Sequence, residues 1–463
     1  ETLGLRYWEL PTTNLPIQRE EGRSAYGKTL RVSMEGLPAL PDEPYSFPAE
    51  DLSNRFMAYP NVLMAGGQRI PLAESWDEVA KAPAEGYAQV IDPSSRVEER
   101  ARSLAGGGSK LEQAERLFRW VRDEIVLDPD LSSNLLAVDV DEVLAAGAGS
   151  QVEKQALLAS LLEAADLDPR MVWLANRMDS RVDMNVKVPA AWFDATVVGL
   201  QIDGAWILLD PSDPGLAFGQ LPPTFDGMPA VVVDRRRAEI LELPFSTHED
   251  NARRVTLDLE ADADGRLRGS GRVELTGALA WAEIDTTPED DVDGWRERLA
   301  GRFDGYDVAE VAFTPEADAR RAIVTFALTQ RDEDVLGDEI EVWPARPLTA
   351  TQPFTLEPSK RLTPVQFLHA RSDEVTVNLS WPDGFAVDLV PKPTDAQTPA
   401  GAYIGRCTID ETARTARCTR RMERHKAVYL GKQEYTLVRQ LYAKAAERDQ
   451  QALVLISDTG ADR

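Results

Sequence analysis

The sequence is poor in the residues on which metal-dependent and thiol chemistry usually depend. Only two of its 463 residues are cysteine and only three are histidine. It also lacks any run of about 18 apolar residues, which excludes a membrane-spanning helix. No internal repeat or low-complexity tract is present, so a chain of this length is expected to form two or three globular domains.

Positive charge is scarce beside negative charge. Lys and Arg number 51 against 78 Asp and Glu, which gives a formal net charge of -27. Such a surface repels phosphate backbones and anionic headgroups, so we expect neither nucleic-acid binding nor electrostatic docking on membranes. The chain starts at Glu1 without an initiator Met or a signal-peptide pattern, and we expect it to be a trimmed piece of a longer protein.

The two cysteines, Cys407 and Cys418, lie on either side of a short polar stretch that is typical of a hairpin turn. The sequence predicts that the two thiols face each other and form a disulfide, with two free thiols as the alternative. A disulfide would indicate an oxidising compartment, and we therefore expect a periplasmic, cell-surface or extracellular protein. No cluster of His or further Cys adjoins the pair, so no metal site is expected there.

Composition along the chain predicts three regions. Residues 1–75 are rich in Pro and aromatic residues with short extended runs, and are expected to be the C-terminal part of an N-terminal β domain. Residues 76–245 begin with helical periodicity and continue into strands. Residues 246–463 read as β-rich, with two subdomains as one possibility.

The middle region carries three strong local signals. Ser109 and Glu112 have the spacing of a capping box before a helix. Ser150 follows a glycine-rich turn and is predicted to cap a second helix over residues 151–165. Asp203-Gly204 separates two apolar stretches and predicts a two-residue β-hairpin turn.

The order of these elements resembles the transglutaminase-like cysteine enzymes of bacterial envelopes. The resemblance rests on four short motifs within residues 76–240: FRWVRDEI at 118–125, GSQVEKQALL at 149–158, WFDA at 192–195 and LLDP at 208–211. Members of that family read Gly-x-Cys-x-Asp-Lys at the second motif, Phe-Asn-His at the third and Leu-Asp-Pro at the fourth. The resemblance implies an α+β fold, with a papain/transglutaminase-like core of helices packed on an antiparallel sheet and flanked by β-rich domains.

Two of the three catalytic positions that the resemblance implies hold different residues here. Gln151 stands at the position of the nucleophilic Cys and Ala195 at that of the His base, while Asp210 keeps the acid. This chemistry needs a thiolate beside an imidazole, and neither a carboxamide nor a methyl group can replace those groups. Residues 1–247 contain no Cys or His from which the triad could be rebuilt.

A turn at Asp203-Gly204 would also set the register of the hairpin. Residues whose numbers sum to 407 then pair, so that Asp210 lies opposite Val197 and diagonal to Ala195 on one face of the sheet. On this reading the frame for a His–Asp pair is kept and the His is missing. The simpler reading of Asp210 is a turn residue before Pro211.

Three other groups of residues could supply chemistry or bind an ion. Ser150 with Lys154 could form a Ser–Lys dyad, although Ser150 is a good helix cap. His248 or His425 could reach the core from elsewhere, although both stand among charged residues and are expected to be surface side chains. Calcium could bind the acidic runs at 289–293 and 332–334, but neither has the spacing of a calcium loop.

The sequence therefore predicts a catalytically inactive transglutaminase-like protein that binds or scaffolds a protein or peptide partner, without a cofactor or a metal. An active amide hydrolase or transferase with a non-standard nucleophile is the first alternative. A structural component of the envelope or of a filament is the second.

Overall fold

The computed structural model describes residues 5–9, 18–25, 27–37, 39–53, 56–60, 62–65, 68–71, 75–131, 134–185, 187, 192–286, 292–347, 356 and 361–457. The described residues form both helices and β-sheets, with β-rich regions beside them, which confirms the predicted α+β class. The chain forms two compact units, residues 1–213 with 218–244 and residues 214–217 with 245–463. The division of the chain into 1–75, 76–245 and 246–463 stays a prediction.

The first unit contains six helices within the described residues. They are Ala49–Leu52 (α1), Trp76–Val90 (α2), Ser95–Ala105 (α3), Lys110–Glu124 (α4), Val140–Ala146 (α5) and Gln151–Ala164 (α6). Its strands are Leu5–Glu9 (β1), Gln18–Ser24 (β2), Gly27–Ser33 (β3), Phe56–Pro60 (β4), Val62–Ala65 (β5), Gln68–Pro71 (β6), Val126–Leu127 (β7), Ala148–Gly149 (β8), Arg170–Leu174 (β9), Ala195–Ile202 (β10), Ala205–Leu209 (β11), Pro229–Val233 (β12) and Glu239–Glu242 (β13). None of the described helices of the chain is long and apolar enough to cross a membrane.

Side-chain caps fix where the helices of this unit begin. Ser109 and Glu112 form the predicted capping box at α4, and Ser150 with Glu153 forms a second one at α6. Gly147 ends α5 in the left-handed conformation, which glycine adopts without strain. The short segment between α5 and α6 is thereby fixed at both ends.

The sheet of the first unit is antiparallel and has the strand order β11-β10-β9-β12-β13. Asp203 and Gly204 both have positive φ, as a type I′ turn requires, and Val198 pairs with Leu209 in the predicted register. One face of β10 packs on α6 through Val198 and Leu200, in a core with the apolar sides of α3 and α4. The helix and the hairpin that carry the candidate site are therefore packed against each other.

The second unit carries the remaining elements. Its helices are Ala278–Thr286 (α7), Val292–Ala300 (α8) and Lys432–Arg448 (α9). Its strands are Ala252–Ala261 (β14), Leu267–Thr276 (β15), Tyr306–Glu316 (β16), Arg321–Gln330 (β17), Glu339–Val342 (β18), Val365–Gln366 (β19), Arg371–Ser380 (β20), Phe385–Leu389 (β21), Thr394–Thr398 (β22), Gly401–Asp410 (β23), Thr415–Arg424 (β24), Val428–Tyr429 (β25) and Leu453–Ser457 (β26). The segment Thr287-Pro288-Glu289, which predicts the start of a helix through Trp295 and Leu299, lies outside the described residues.

An eight-stranded sheet dominates the second unit, with the order β16-β17-β15-β14-β20-β24-β23-β22. All its pairs are antiparallel except β14 with β20, which run parallel from Ala252 and Ser372 onward. Cys407 on β23 lies opposite Cys418 on β24, and a disulfide joins the two. The polar stretch between them is the turn of that hairpin.

Candidate functional site

Gln151, which the resemblance in sequence aligns with a nucleophile, is the first residue of α6, and it is exposed. Next to it, the Oγ of Ser150 accepts a hydrogen bond from the backbone N–H of Glu153 at 3.3 Å. In return Oε2 of Glu153 accepts one from the backbone N–H of Ser150 at 2.8 Å. The predicted N-cap is confirmed, and the Ser150 hydroxyl oxygen is directed at the helix backbone.

Lys154 lies one turn further along α6 and is only 2% exposed. Its Nζ donates to the backbone oxygens of Ile125 at 2.6 Å and Arg122 at 3.1 Å, which terminate α4. A cation at this place satisfies carbonyl groups that have no partner within their own helix. No hydrogen bond between described atoms joins Nζ of Lys154 to Oγ of Ser150.

Asp210 follows the last residue of β11 and is 5% exposed. Its Oδ1 accepts hydrogen bonds from the hydroxyl of Ser212 at 2.5 Å, the backbone N–H of Ser212 at 3.1 Å and Nε2 of Gln155 at 3.4 Å. The other end of the Gln155 amide accepts a hydrogen bond from Oγ1 of Thr196 at 2.8 Å. A chain of hydrogen bonds therefore links the two strands of the hairpin through a residue of α6.

The predicted position of Ala195 on the same face as Asp210 is wrong. Ala195 pairs with Leu174 and packs with Val197 in the small core on the far side of the sheet from α6. Thr196, the next residue, points to the α6 side and meets Gln155. The side chain of Asp210 does not follow the alternation of side chains along β11, because the strand ends at Leu209. The turn to Ser212 directs the carboxylate of Asp210 towards α6.

Burial dominates the electrostatics of this site. It raises the pKa of the Asp210 carboxyl, while the hydrogen bonds from Ser212 and Gln155 and the charge of Lys154 act in the opposite direction. It lowers the pKa of Lys154 to about 8, an effect that the Asp210 charge opposes. Asp210 and Lys154 therefore each stabilise the charged form of the other, while burial disfavours the charged form of both.

Gln155 and Thr196 are the members of this site that the motif comparison missed. The spacing offered one signal, because Gln155 follows Gln151 by four residues and so shares its face of the helix. Thr196 carried no signal, because its side-chain direction depends on where β10 begins. The apolar pattern of the sequence alone predicts a strand over residues 191–201, whereas the observed strand begins at Ala195.

This arrangement has hydrogen-bonding capacity but no reactive pair. Neither Gln151, Ala195 nor Thr196 supplies a thiolate or an imidazole, and the buried Asp210 is already engaged by Ser212 and Gln155. A cavity of about 540 Å³ in the same unit is lined instead by the end of α2, the turn into α3 with Asp92 and Ser94, Val97 of α3, and residues 136 and 138–141. The acidic run at 332–334, in the second unit, forms a short 3₁₀ turn, whereas residues 289–291 of the other run lie outside the described residues.

Comparison with known proteins found a family model that matches part of the second unit and a solved structure with a similar fold. A family model described as a domain of unknown function with a solved structure, DUF3858, matches residues 340–455. No protein with a curated description matches the chain. A solved structure from Parabacteroides distasonis, titled a "putative protease", matches at 14% sequence identity with a TM-score of 0.57, covering 98% of this chain and 70% of that one.

The structural match covers both units and indicates that this chain shares the fold of the protein titled a "putative protease". At 14% identity it speaks for the fold alone. The DUF3858 match starts within β18 and ends within β26, two strands that pair with each other. It covers only part of the second unit, because β14–β17 precede it and complete the large sheet.

Proposed function

We propose that the protein is a catalytically inactive relative of the transglutaminase-like enzymes, and that it binds or scaffolds a protein or peptide partner. The observation that carries the proposal is the environment of Asp210. Its carboxylate is buried and holds Ser212 and Gln155, where a working triad would need it to orient an imidazole. The same fold thus keeps a buried polar network and loses the reactive atoms.

The geometry of Ser150 and Lys154 argues against the first alternative, an active hydrolase or transferase with a non-standard nucleophile. The Ser150 oxygen serves as a helix cap and the Lys154 ammonium holds two carbonyl groups of α4. A general base needs its proton acceptor within hydrogen-bonding distance of the nucleophile. These two side chains serve the packing of α4 and α6 instead.

The disulfide between Cys407 and Cys418 supports a location in the envelope or outside the cell, because disulfides persist in oxidising compartments. The exposed Gln151, at the mouth of the former active site in this proposal, is the natural place for a partner to contact the first unit. The net charge of -27 favours a partner with basic groups.

The catalytic half of the proposal is tested by incubating the purified protein with peptides and cell-wall fragments and measuring products by mass spectrometry. We expect neither amide cleavage nor cross-linking. Activity that disappears in Ser150→Ala or Lys154→Met would overturn the proposal, since it would assign a nucleophile and base to this site.

The binding half is tested by photo-crosslinking. A photoreactive amino acid is placed at Gln151 or, as the matched control, at Lys110, which is likewise exposed and begins a helix. In envelope extracts we expect a discrete adduct from position 151 and none from position 110. Equal labelling from both positions, or none from 151, would contradict a partner at this site.

A further inference from the structure

Two of the three histidines meet at one place in the second unit, together with a glutamate. The rings of His248 and His425 lie 4.5 Å apart between centroids, tilted by 34°. Oε2 of Glu423 lies 3.2 Å from Nε2 of His425 and 3.8 Å from Nε2 of His248. One possible ligand atom from each residue lies within 4.8 Å of the others.

We propose that His248, Glu423 and His425 form a binding site for a divalent transition-metal ion, with Zn²⁺ as the preferred ion. Imidazole nitrogen and carboxylate oxygen bind zinc at about 2.0–2.2 Å, so two donors of a tetrahedral site lie roughly 3.3 Å apart. The contact of Glu423 with His425 already has this spacing. That with His248 needs a closing movement of about 0.5 Å, and no two of the three ligand atoms lie more than 4.8 Å apart.

Backbone hydrogen bonds fix both histidines close to this geometry. The backbone N–H of His425 donates to Ala400 at 3.1 Å. The turn that carries His248 is closed by Thr247 and Asp250, whose backbone and side-chain groups bond each other at 2.7–3.2 Å. Buried Asn251 ties this turn to the carbonyl of Ala370 beside β20 at 3.1 Å. The ligands are therefore held by the fold before any ion binds.

The residues opposite Glu423 on the neighbouring strands are small, and one of its carboxylate oxygens is turned to the histidines. Its neighbours across β24 are Ser372 and Ala402, both small. The other carboxylate oxygen, Oε1, contacts Nε of Arg421 at 3.2 Å, on the same face of the strand. This contact orients the carboxylate, as hydrogen-bond partners of metal ligands commonly do.

The ligand set distinguishes between metals. Imidazoles favour zinc and other first-row transition ions, whereas calcium and magnesium prefer sites made of oxygen atoms alone. The side chain of His425 is 32% exposed, so three protein ligands leave a coordination position open to water or a further molecule. No metal is expected from the sequence, in which His248 stands 175 positions before Glu423 and only the fold brings the two together.

The proposal is tested by calorimetric titration of the chelator-treated, tag-free full chain with Zn²⁺ in a buffer of moderate salt, which screens the acidic surface. We expect one ion per chain with micromolar affinity or tighter. His425→Gln and Glu423→Gln should each weaken binding at least about tenfold. Glu374→Gln, which removes a carboxylate from the adjacent strand β20, serves as the matched control and should bind like the wild type.

A spectroscopic measurement keeps the test decisive if a variant fails to fold. X-ray absorption of the zinc-loaded wild-type protein should show scattering from two imidazole rings. A titration without a defined stoichiometry, equal affinities of the His425→Gln and wild-type proteins, or a zinc spectrum without imidazole scattering would overturn the site. All these measurements concern the second unit and leave the proposal for Gln151 and Asp210 unaffected.

Discussion

Gln155 links the polar residues of the candidate site by hydrogen bonds. It is fully buried and its amide contacts Asp210 on one side and Thr196 on the other. Burying an amide without hydrogen-bond partners costs free energy. Burying the polar groups that would lose the amide as a partner costs free energy as well. The network therefore stabilises the packing of α6 on the β10–β11 hairpin.

Gln155→Ala should lower the free energy of unfolding by about 1–3 kcal/mol, because it leaves the polar groups of Asp210 and Thr196 without this partner. Gln151→Ala is the matched control, since it makes the same change on the same helix face at an exposed position. It should change stability by about 0.5 kcal/mol or less. Urea denaturation of both variants measures the difference, and equal losses would show that the network contributes nothing.

The strands of the large sheet depend on a close approach at Gly271 in β15. Gly271 lies between Leu257 on β14 and Phe326 on β17. A Cβ built at Gly271 would fall 2.1 Å from the ring of Phe326, which is buried over it. The aromatic ring thus covers the backbone that the glycine leaves open, a device that stabilises glycine within a sheet.

We expect Gly271→Ala to destabilise the second unit by about 1–3 kcal/mol, because the ring of Phe326 must leave its place. Gly301→Ala, just after α8, is the control, since the nearest atom to its new Cβ is an ordinary 3.6 Å away. Thermal unfolding would measure both. Combining Gly271→Ala with Phe326→Leu should recover part of the loss, and strict additivity of the two changes would refute the steric explanation.

At the scale of the whole molecule, the chain divides its elements between two compact units with separate cores. The Cys407–Cys418 disulfide lies in the second unit and the Gln155 network in the first. Multidomain chains commonly unfold in more than one step. Each of these two features should then stabilise only the unit that contains it.

Calorimetry should accordingly show two unfolding transitions. Adding a reductant should lower only the midpoint of the second unit, by an amount equivalent to about 3 kcal/mol for a loop of this length. Gln155→Ala should lower only the other midpoint. The sequence contains only these two cysteines, so reduction changes nothing else in the chain. A single transition that shifts in both experiments would show that the two units unfold together.

Local signals predicted most of the elements around the candidate site. The capping boxes at Ser109 and Ser150 act within four residues, and the Asp203-Gly204 turn fixes its own hairpin and register. Elements that depend on distant partners escaped prediction. Helix α7 is an example, because the N–H of Ala278 is capped by the side chain of Asn251, which comes from another turn of the chain.

The sequence by itself determined the class of fold, the helix that begins at Gln151, the hairpin register and the lack of a thiol and an imidazole in the first 247 residues. These follow from residue identity and short-range hydrogen bonding. Only the tertiary structure decided that Thr196 rather than Ala195 meets Gln155, that β14 pairs in parallel with β20, and that His248 joins Glu423 and His425. Such contacts depend on how strands end and which strands become neighbours, and the packing of the entire sheet selects among the possibilities.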